Sequence, residues 1–501
     1  MSSDILLQGQ GVTVSLPRSP WRRVFESPAA PAALLAVFTL LCMSTIGRFS
    51  TWIDESFSLV LVGANNYVDI VRLGAADVHP PLWYLVFKPW LQVFGTGLVA
   101  ARAESVVFMV AAFAVWYHFV RTRFSRPLAL LVLALMATNP MLLHYAVEAR
   151  MYALAVLLVS LSCVFITSTA GWRWFAYWPC AVAMLYTHYF LVFPVVAQFI
   201  YLLVRRRELG LSILWIVLYG GSMLAAFGPW LPIAFHRTVS IVTTYFWIGP
   251  IAPSSITAYV TYAFLHRQDA DLQSGYVFPA LLFLTVWAAS LIRAGRVRHG
   301  LNTLLWCMVG VPWLCLFVLS CKPLVPVFHP RYVLFGLPAL ITLLATGVLG
   351  FERRWKAIAA VVLIAGGLWG LQLLRWRGFS DTQGYWSMKQ LAKTVAKPID
   401  GEKPWIVTDE IFCFADARAT LKPTQRVVIF LPEKPAFVTP HILYYDRPDW
   451  YILSLTDIQT RHAWTIQKQG GTEIAMPAGW KLVKTLDLGY AHARLFRHDT
   501  P

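Results

Sequence analysis

The chain is 501 residues long, 58% of them hydrophobic and only 13% charged, with a mean hydropathy of +0.58. Soluble proteins carry about a quarter charged residues, so this composition excludes an ordinary soluble enzyme. An aromatic content of 15% requires burial and excludes a disordered chain. The formal net charge of +17 comes from short basic clusters between apolar runs, which is the pattern of membrane topology, so no nucleic-acid partner is expected. The class that remains is a polytopic membrane protein.

Uncharged windows predict the membrane spans, since a helix needs about 20 apolar residues to cross the hydrocarbon. These windows are residues 27–47, 105–120, 127–147, 151–172, 174–204, 209–236, 272–292, 299–321, 332–351 and 357–374. The longest, 174–204, predicts two short helices hinged near His188, because a single helix would place the arginines at 205–207 on the wrong side of the membrane. With this hairpin the chain has about eleven spans.

The basic residues predict the orientation of these spans. Sixteen of the 25 Lys and Arg residues before residue 375 fall on one side, which is cytoplasmic by the positive-inside rule. They are Arg18, Arg22, Arg23, Arg121, Arg123, Arg126, Arg173, Arg205, Arg206, Arg207, Arg293, Arg296, Arg298, Arg353, Arg354 and Lys356. The prediction is a multi-pass protein of the bacterial inner membrane, with its N-terminus inside and its C-terminus outside.

The predicted fold class is mainly α, a polytopic transmembrane helical protein with a small α/β domain at the C-terminal end. The transmembrane domain covers residues 1–375 and carries two large outer loops, 48–100 and 232–271. Residues 376–501 have ordinary charge content and alternating apolar patterns, which predict a soluble extracytoplasmic domain. Within the first outer loop and the last domain, the predicted elements are helices at 53–62, 80–94 and 384–397 and strands at 405–407, 426–431, 451–455 and 482–486.

Two adjacent carboxylates, Asp54 and Glu55, follow the first span by six residues and so lie at the outer interface. Ionisable groups at the membrane are costly and indicate function. The alternative interpretation is a pair of charges that complements the dipole at the start of a helix.

The next polar group is the segment from Asp77 to Tyr84, in which His79 precedes two prolines and an aromatic surface. Proline suits the first turn of a helix, but this does not account for the imidazole and the carboxylate. Lys88 falls about two turns further along the same predicted helix. It is either a site residue or a lysine that extends to the lipid headgroups.

Two later outer turns carry further candidates. The segment from His144 to Tyr152 contains Glu148 and Arg150, which could simply pair with each other. The segment from Phe328 to Tyr332 contains Arg331 directly before an uncharged span, where an arginine could also serve as an interface anchor.

Together these motifs resemble the GT-C glycosyltransferases. The shared order is Asp-Glu after the first span, then His-Pro-Pro-Leu-Trp-Tyr, Glu-Ala-Arg-Met-Tyr, and Pro-Arg-Tyr before a late span. The bacterial branch of the family 39 and 83 type is most similar, with relatives among protein O-mannosyltransferases and the aminoarabinose and galacturonic acid transferases of lipopolysaccharide. The resemblance covers residues 30–375. It implies an integral membrane enzyme with an extracytoplasmic site that takes a sugar from a polyprenyl-phosphate donor and inverts its anomeric centre.

The resemblance also implies roles for single residues. Asp54 matches the essential acidic position of the first loop and is expected to be the general base, with Glu55 beside it. The donor phosphate is expected to bind Lys88 and Arg331, with Arg102 and Arg150 as further candidates. The remaining residues expected at the site are His79, Glu148, Tyr152 and Tyr332. Some relatives bind a divalent metal; no His/Cys cluster with ligand spacing occurs here, so a metal stays open, and no nucleotide cofactor is expected.

Two other classes of function compete with an enzyme. A transporter or flippase of lipid-linked glycans would share the spans, but it would normally place charges or broken helices near the midplane, whereas these charges gather at the outer face. A structural or sensory membrane protein would leave the early acidic residues unexplained. The sequence specifies neither the sugar nor the acceptor, which could be a glycan, a lipid or a protein of the cell envelope.

Overall fold

The computed structural model describes residues 27–49, 51–244, 248, 251, 254–266, 277–321, 327–377, 394–409, 411–421, 424–431, 447–468, 473–487 and 491–499. Most of them are helical. The helices are α1 Ala29–Thr45, α2 Ile53–Ala64, α3 Tyr67–Gly74, α4 Leu82–Phe94, α5 Leu98–Arg123, α6 Arg126–Ala137, α7 Pro140–Ala146, α8 Tyr152–Thr167, α9 Arg173–Thr187, α10 Val192–Val204, α11 Arg206–Leu209, α12 Ile213–Phe227, α13 Leu231–Thr244, α14 Ser254–Leu265, α15 Val277–Arg296, α16 Asn302–Ser320, α17 Pro330–Val333, α18 Leu337–Leu349, α19 Arg353–Arg377 and α20 Ile411–Thr420.

The chain is a multi-pass membrane protein. Among the described residues, five spans are long and apolar enough by themselves to cross a bilayer, and the bent pair α6 and α7 makes a sixth if it is counted as one span. The five are Leu98–Arg123, Ile213–Arg237, Asn302–Ser320, Pro330–Leu349 and Arg353–Arg375. Other apolar helices, such as α1 and α8, are shorter. The number of eleven crossings therefore stays a prediction.

The predicted hairpin within residues 174–204 is present. Helix α9 ends at Thr187, and α10 begins at Val192 after a single turn of 3₁₀-helix. Tyr177 of α9 donates a hydrogen bond to Oε1 of Gln198 of α10 at 2.8 Å. In one continuous helix these residues would be about 30 Å apart, so the chain reverses direction between them. His188 lies at the point of reversal.

Residues 127–147 are predicted as one span, but a second break divides them. Helices α6 and α7 meet at an angle of 66°. Pro140 explains the break, because the residue before a proline avoids the helical conformation. Asn139 caps α7 by accepting the backbone N–H of Leu142 at 2.9 Å, and its amide donates to the carbonyl of Ala263 at 3.0 Å. The bend delivers the segment after α7 to the candidate site.

The outer segment 48–100 holds three helices instead of the two predicted. Helices α2 and α4 correspond to the predicted ones, and the prolines before Leu82 precede α4 as expected. The short α3 lies between them and is capped by the side chain of Asn66.

The C-terminal part contains a six-stranded mixed sheet. Its strands are β1 Trp405–Thr408, β2 Val427–Phe430, β3 Tyr451–Ile452, β4 His462–Lys468, β5 Trp480–Asp487 and β6 Ala491–His498, in the order β3-β2-β1-β4-β6-β5. The first four positions pair in parallel, and β6 runs antiparallel to β4 and β5. The four predicted strands are confirmed, although β3 is shorter than predicted; α20, β4 and β6 were not predicted. The predicted helix at 384–397 lies mostly outside the described residues, and the domain boundary at 375 stays a prediction.

The sheet region packs on α2, the helix that carries Asp54. Helix α20 contacts α2. Arg447 donates to the carbonyl of Ala64 at 2.6 Å and to the side-chain oxygen of Asn65 at 3.1 Å, at the C-terminal end of α2. A cation at this end complements the helix dipole. The contact therefore holds α2 between the membrane helices and the sheet.

Candidate active site

Glu55 and Arg102 form a buried salt bridge with two contacts. Arg102 donates Nε to Oε1 of Glu55 at 2.8 Å and Nη2 to Oε2 at 2.6 Å. Both side chains are 1% exposed. Nη1 of Arg102 donates to the carbonyls of Ile46 and Phe49 at 2.8 and 2.9 Å, and Glu55 also accepts the N–H of Ala149 at 2.8 Å. The pair joins the end of α1 to α2 and to the loop after α7.

This geometry gives Glu55 and Arg102 a structural role that differs from their predicted ones. Glu55 also accepts the backbone N–H of Trp52 at 3.3 Å and thereby caps α2, as the helix-start interpretation proposes. The two side chains turn their hydrogen-bonding groups to each other and to the backbone, away from solvent. The pair thus positions α2, and the roles predicted for the two residues, Glu55 beside the base and Arg102 at the donor phosphate, stay predictions.

Asp54 is one residue earlier in the first turn of α2, but its environment is open. Its side chain is 32% exposed, and its Oδ2 lies 3.5 Å from Nη1 of Arg331, at the long end of the hydrogen-bond range. The Arg331 guanidinium also lies over the ring of Trp52, 5.1 Å from the ring centroid. A carboxylate with access to solvent thus stands beside a buried guanidinium.

Arg331 is held in place by the local sequence. Pro330 occupies the first position of α17, where its missing N–H is not needed. Nδ1 of His329 accepts the backbone N–H of Arg331 at 3.3 Å and so caps the same helix. The Pro-Arg-Tyr motif therefore fixes the backbone of Arg331 at the start of a helix, with its side chain 6% exposed.

Arg150 connects the first outer segment to the loop between α7 and α8. Its Nη1 donates to Oγ of Ser58 at 2.7 Å, to the carbonyl of Asp54 at 3.3 Å and to the hydroxyl of Tyr84 at 3.3 Å. Tyr84 in turn donates to Oδ2 of Asp77 at 2.8 Å. Two arginines thus meet Asp54, Arg331 at its carboxylate and Arg150 at its main chain.

His79 completes this network from the loop before α4. Its Nδ1 lies 3.3 Å from Nη2 of Arg150 and 3.7 Å from Oδ2 of Asp77. Because arginine has only donors, the shorter contact requires an unprotonated Nδ1. Burial lowers the pKa of His79 below its usual 6.5, Asp77 opposes this shift, and the charge of Arg150 adds to it. His79 is therefore neutral near pH 7.

His188, which the sequence indicates only as a hinge, also packs into this cluster. It is 3% exposed, and its ring lies 5.3 Å from that of His79, 5.7 Å from that of Tyr332 and 6.0 Å from that of Tyr152. Nδ1 of His188 accepts the backbone N–H of Phe190 at 3.1 Å, which places the proton of the neutral ring on Nε2. Nε2 is buried without a hydrogen-bond partner among the described residues. A polar residue in the middle of a long apolar window is the signal that could have found it.

Glu148 lies nearby but apart from Arg150. Its Oε2 is 3.4 Å from Nε2 of His144 on the same turn, and the residue is 2% exposed. Among the ion pairs of the described residues Glu148 is matched with His144, so the predicted alternative of a pair with Arg150 is wrong. Tyr145 and Tyr152, whose rings lie 4.8 Å apart, continue this wall.

Lys88 does not join Asp54 and Arg331. Its Nζ donates to the carbonyl of Val62 at 3.0 Å, and Val62 is eight residues beyond Asp54 on α2, about 12 Å along the helix. The structure thus brings together Asp54, Arg331, Arg150, His79, Tyr152 and Tyr332 with His188, and it places Lys88 toward the other end of α2. The predicted role of Lys88 at the donor phosphate stays a prediction.

The resemblance leaves a divalent metal open, and such an ion would need several ligands close together. Within the described part of the chain, no three His, Cys, Asp or Glu side chains lie close enough together to hold an ion. The described residues therefore do not supply the set of ligands that a divalent metal would need.

Comparison with known proteins places the fold. No family model and no curated protein matches the sequence. Among solved structures, ArnT from Cupriavidus metallidurans bound to undecaprenyl phosphate matches with a TM-score of 0.59 over 93% of this chain and 97% of that chain, at 13% identity. The apo state of the same protein matches with a TM-score of 0.57, again at 13% identity and over 93% and 97% of the two chains.

The chain has the GT-C fold. This similarity extends over nearly the whole of both chains, so the C-terminal sheet region is included in it. At 13% identity it establishes the GT-C fold alone.

Proposed function

We propose that this chain is an inverting glycosyltransferase that moves a sugar from a polyprenyl-phosphate donor to an acceptor of the cell envelope at the outer face of the inner membrane. The observation that carries the proposal is the pair formed by Asp54 and Arg331. A partly exposed carboxylate lies 3.5 Å from a buried guanidinium, on helix starts that belong to different parts of the chain.

The two groups meet the two electrostatic needs of such a transfer. The acceptor hydroxyl loses a proton as it attacks the anomeric carbon, and the bond from that carbon to the phosphate oxygen breaks. Asp54 takes the proton, and the lipid phosphate leaves with the electron pair. The transition state has oxocarbenium character, so a carboxylate close to the sugar stabilises it as well.

The departing phosphate needs fixed donors in a site that excludes water, where they are most effective. Arg331 supplies a planar guanidinium next to Asp54, and the Nε2–H of His188 supplies a buried neutral donor. Arg150 positions Asp54 through its main-chain carbonyl, because the other contacts of Arg150, to Ser58 and Tyr84, are also within the protein. Inversion needs a single displacement in which the acceptor hydroxyl and the leaving phosphate lie on opposite faces of the anomeric carbon. The sugar therefore enters between Asp54 and Arg331 and replaces their 3.5 Å contact.

The donor class is supported by the fold and by the membrane setting. The similar ArnT structure is bound to undecaprenyl phosphate. A donor with a polyprenyl tail also explains why the site lies among membrane helices. The sugar and the acceptor stay unspecified.

The test is a comparison of envelope lipids. Glycolipids and glycoproteins are measured by mass spectrometry in cells that lack the protein, that carry it, and that carry the Asp54→Asn variant. We expect one sugar modification to be lost in the first and third strains and present in the second. A flippase would instead accumulate its unflipped lipid-linked glycan, and the purified protein would form no product from donor and acceptor supplied together.

A further inference from the structure

A cavity of about 840 Å³ lies at the far end of the helix bundle from Asp54. It is formed by the end of α10, the loop after α15 and the first half of α16. Helix α10 starts close after His188 and ends just before Arg205. These two residues are therefore about 25 Å apart along the helix axis. The cavity is therefore separate from the candidate active site.

One end of the cavity is cationic. Arg205, Arg298 and His299 line it, and none of the lining residues, all of them in the described part of the chain, is acidic. Glu208 pairs with Arg205 from the neighbouring turn of α11, which leaves an excess of positive charge at this end. The ring of His299 is stacked on Phe124 with centroids 4.4 Å apart.

The arginine at this end is held close to the loop. A Cβ atom at Gly300 would lie 2.7 Å from Nη2 of Arg205, so the absence of a side chain at this position lets the guanidinium cross the backbone. Arg205 is 29% exposed. It is thus packed against the protein while still open to the cavity.

The other end of the cavity is an apolar face of α16. Trp306, Gly310, Val311 and Leu314 line it, and Trp306 and Leu314 are 36% and 63% exposed. From Asn302 to Leu314 the face is about 18 Å long, slightly more than half of a hydrocarbon core of about 30 Å. The cavity therefore begins at the end of the span and continues to about the depth of one leaflet.

We propose that this cavity binds a phospholipid with an anionic headgroup, in the leaflet opposite the candidate active site. The headgroup phosphate contacts Arg205 and Arg298, and one acyl chain lies along Trp306, Gly310 and Leu314. Charge complementarity selects an anionic head, and the apolar face selects a molecule with a hydrocarbon chain over a free phosphate. The bound lipid links α10 to α16.

The first experiment tests the headgroup. The delipidated protein receives phosphatidylglycerol or phosphatidylcholine, and retained lipid is measured by native mass spectrometry. We expect phosphatidylglycerol to be preferred and R205Q/R298Q to lose on the order of 30-fold in that preference, from the attraction of two arginines for an anionic lipid. The matched control is R353Q/R354Q, which removes the same charge from two exposed residues at the start of α19 and should keep the preference.

The second experiment tests the acyl chain without changing charge. At both Gly310 and Gly221 an added Cβ meets nothing within 4 Å, and both residues are exposed on apolar helices. Gly310→Phe fills the cavity and should abolish retention, whereas Gly221→Phe on α12 should not. This pair decides the question even if R205Q/R298Q does not fold, as judged by thermal melting in detergent.

Three results would overturn the proposal. One is equal retention of the two lipids by the unaltered protein, and another is unchanged retention by Gly310→Phe. The third is displacement of the lipid by inorganic phosphate at millimolar concentration, which would mean that the cationic end alone is the site.

Discussion

Two carboxylates that are adjacent in the sequence lie in opposite environments in the structure. Glu55 is buried, meets Arg102 through two short contacts and accepts two backbone N–H groups. Asp54 is 32% exposed and meets Arg331 at 3.5 Å. Both pairs combine an acid of the first outer segment with an arginine from a different helix. The two carboxylates differ in how deeply they are buried and in how short their contacts to arginine are.

This difference distinguishes a charge that holds the fold together from a charge that is available for function. A buried ion pair is tolerated only when its remaining hydrogen-bonding groups also find partners, and Glu55 and Arg102 meet that condition. Asp54 meets Arg331 at 3.5 Å and is 32% exposed, so its carboxylate is open to a substrate. We expect removal of the first pair to harm folding and removal of the second to harm turnover.

The largest expected effect is on transfer in the Asp54→Asn variant. Asparagine keeps the shape but cannot take a proton, so transfer from a saturating polyprenyl-phosphate donor should fall by roughly 10²–10⁴. The melting temperature should not change. The matched control is Asp69→Asn, because Asp69 lies in the same outer segment, is 33% exposed and sits 3.4 Å from Arg72. Full activity in Asp54→Asn would remove the catalytic centre from this segment.

The next expected effect concerns the buried pair. Glu55→Gln leaves Arg102 charged and without its carboxylate, which typically costs about 3–5 kcal/mol of stability. We expect a large drop in melting temperature and in the amount of inserted protein. If Glu55→Gln melted normally but failed to transfer sugar, the catalytic role that the sequence predicts for Glu55 would be supported.

Arg331→Lys sharpens the other side of the comparison. Lysine keeps the charge but loses the planar fork of donors, so turnover should fall by about 10²–10³ while the protein folds. Arg72→Lys, at the exposed partner of Asp69, is the control and should be neutral. Normal turnover in Arg331→Lys would favour the alternative interpretation of Arg331 as an interface anchor.

A smaller effect is expected at His188. Asparagine places an acceptor near the position of Nδ1 and keeps the cap on Phe190, but it lacks the Nε2–H. His188→Asn should therefore reduce kcat by about 10-fold, the order expected for one hydrogen bond, with little change in melting temperature. His188→Gln should show the reverse, because it keeps the distal donor and loses the cap. Equal behaviour of the two variants would assign His188 to packing alone.

The smallest effect is a pH dependence from His79. Its pKa is lowered from 6.5 by burial, with Asp77 opposing and Arg150 adding to the shift. The unfolded chain therefore binds the proton first, and stability should be lost as the pH falls from about 6.5 toward the lower pKa of the folded protein. Melting temperatures between pH 8 and 5 should show this slope in the unaltered protein, and His79→Gln should flatten it. An unchanged slope in the variant would assign it to another group.

Much of the outer segment was predictable because its signals are local. Helices α2 and α4 follow from apolar spacing and from prolines at a helix start. The reversal at His188 follows from the length of the apolar window that contains it and from the arginines beyond that window. The bend at Pro140 also had a local signal, the Asn-Pro pair. It was hidden by the continuous apolar composition of residues 127–147, which fits a single span equally well.

The sequence by itself determined that this chain crosses the membrane several times, and its motifs grouped Asp54, Arg150 and Arg331. The membrane crossings follow from composition, which burial in a bilayer dictates directly, whereas the grouping of the three residues follows from the resemblance to the GT-C glycosyltransferases. Only the tertiary structure decided that Glu55 is buried against Arg102 while Asp54 is partly exposed. It also decided that Lys88 contacts Val62 on α2 and that the ring of His188 lies beside those of His79 and Tyr332. Those outcomes depend on which side chains meet across helices, and a contact such as that between Asp54 and Arg331, which are 277 positions apart, leaves no periodic trace in the sequence.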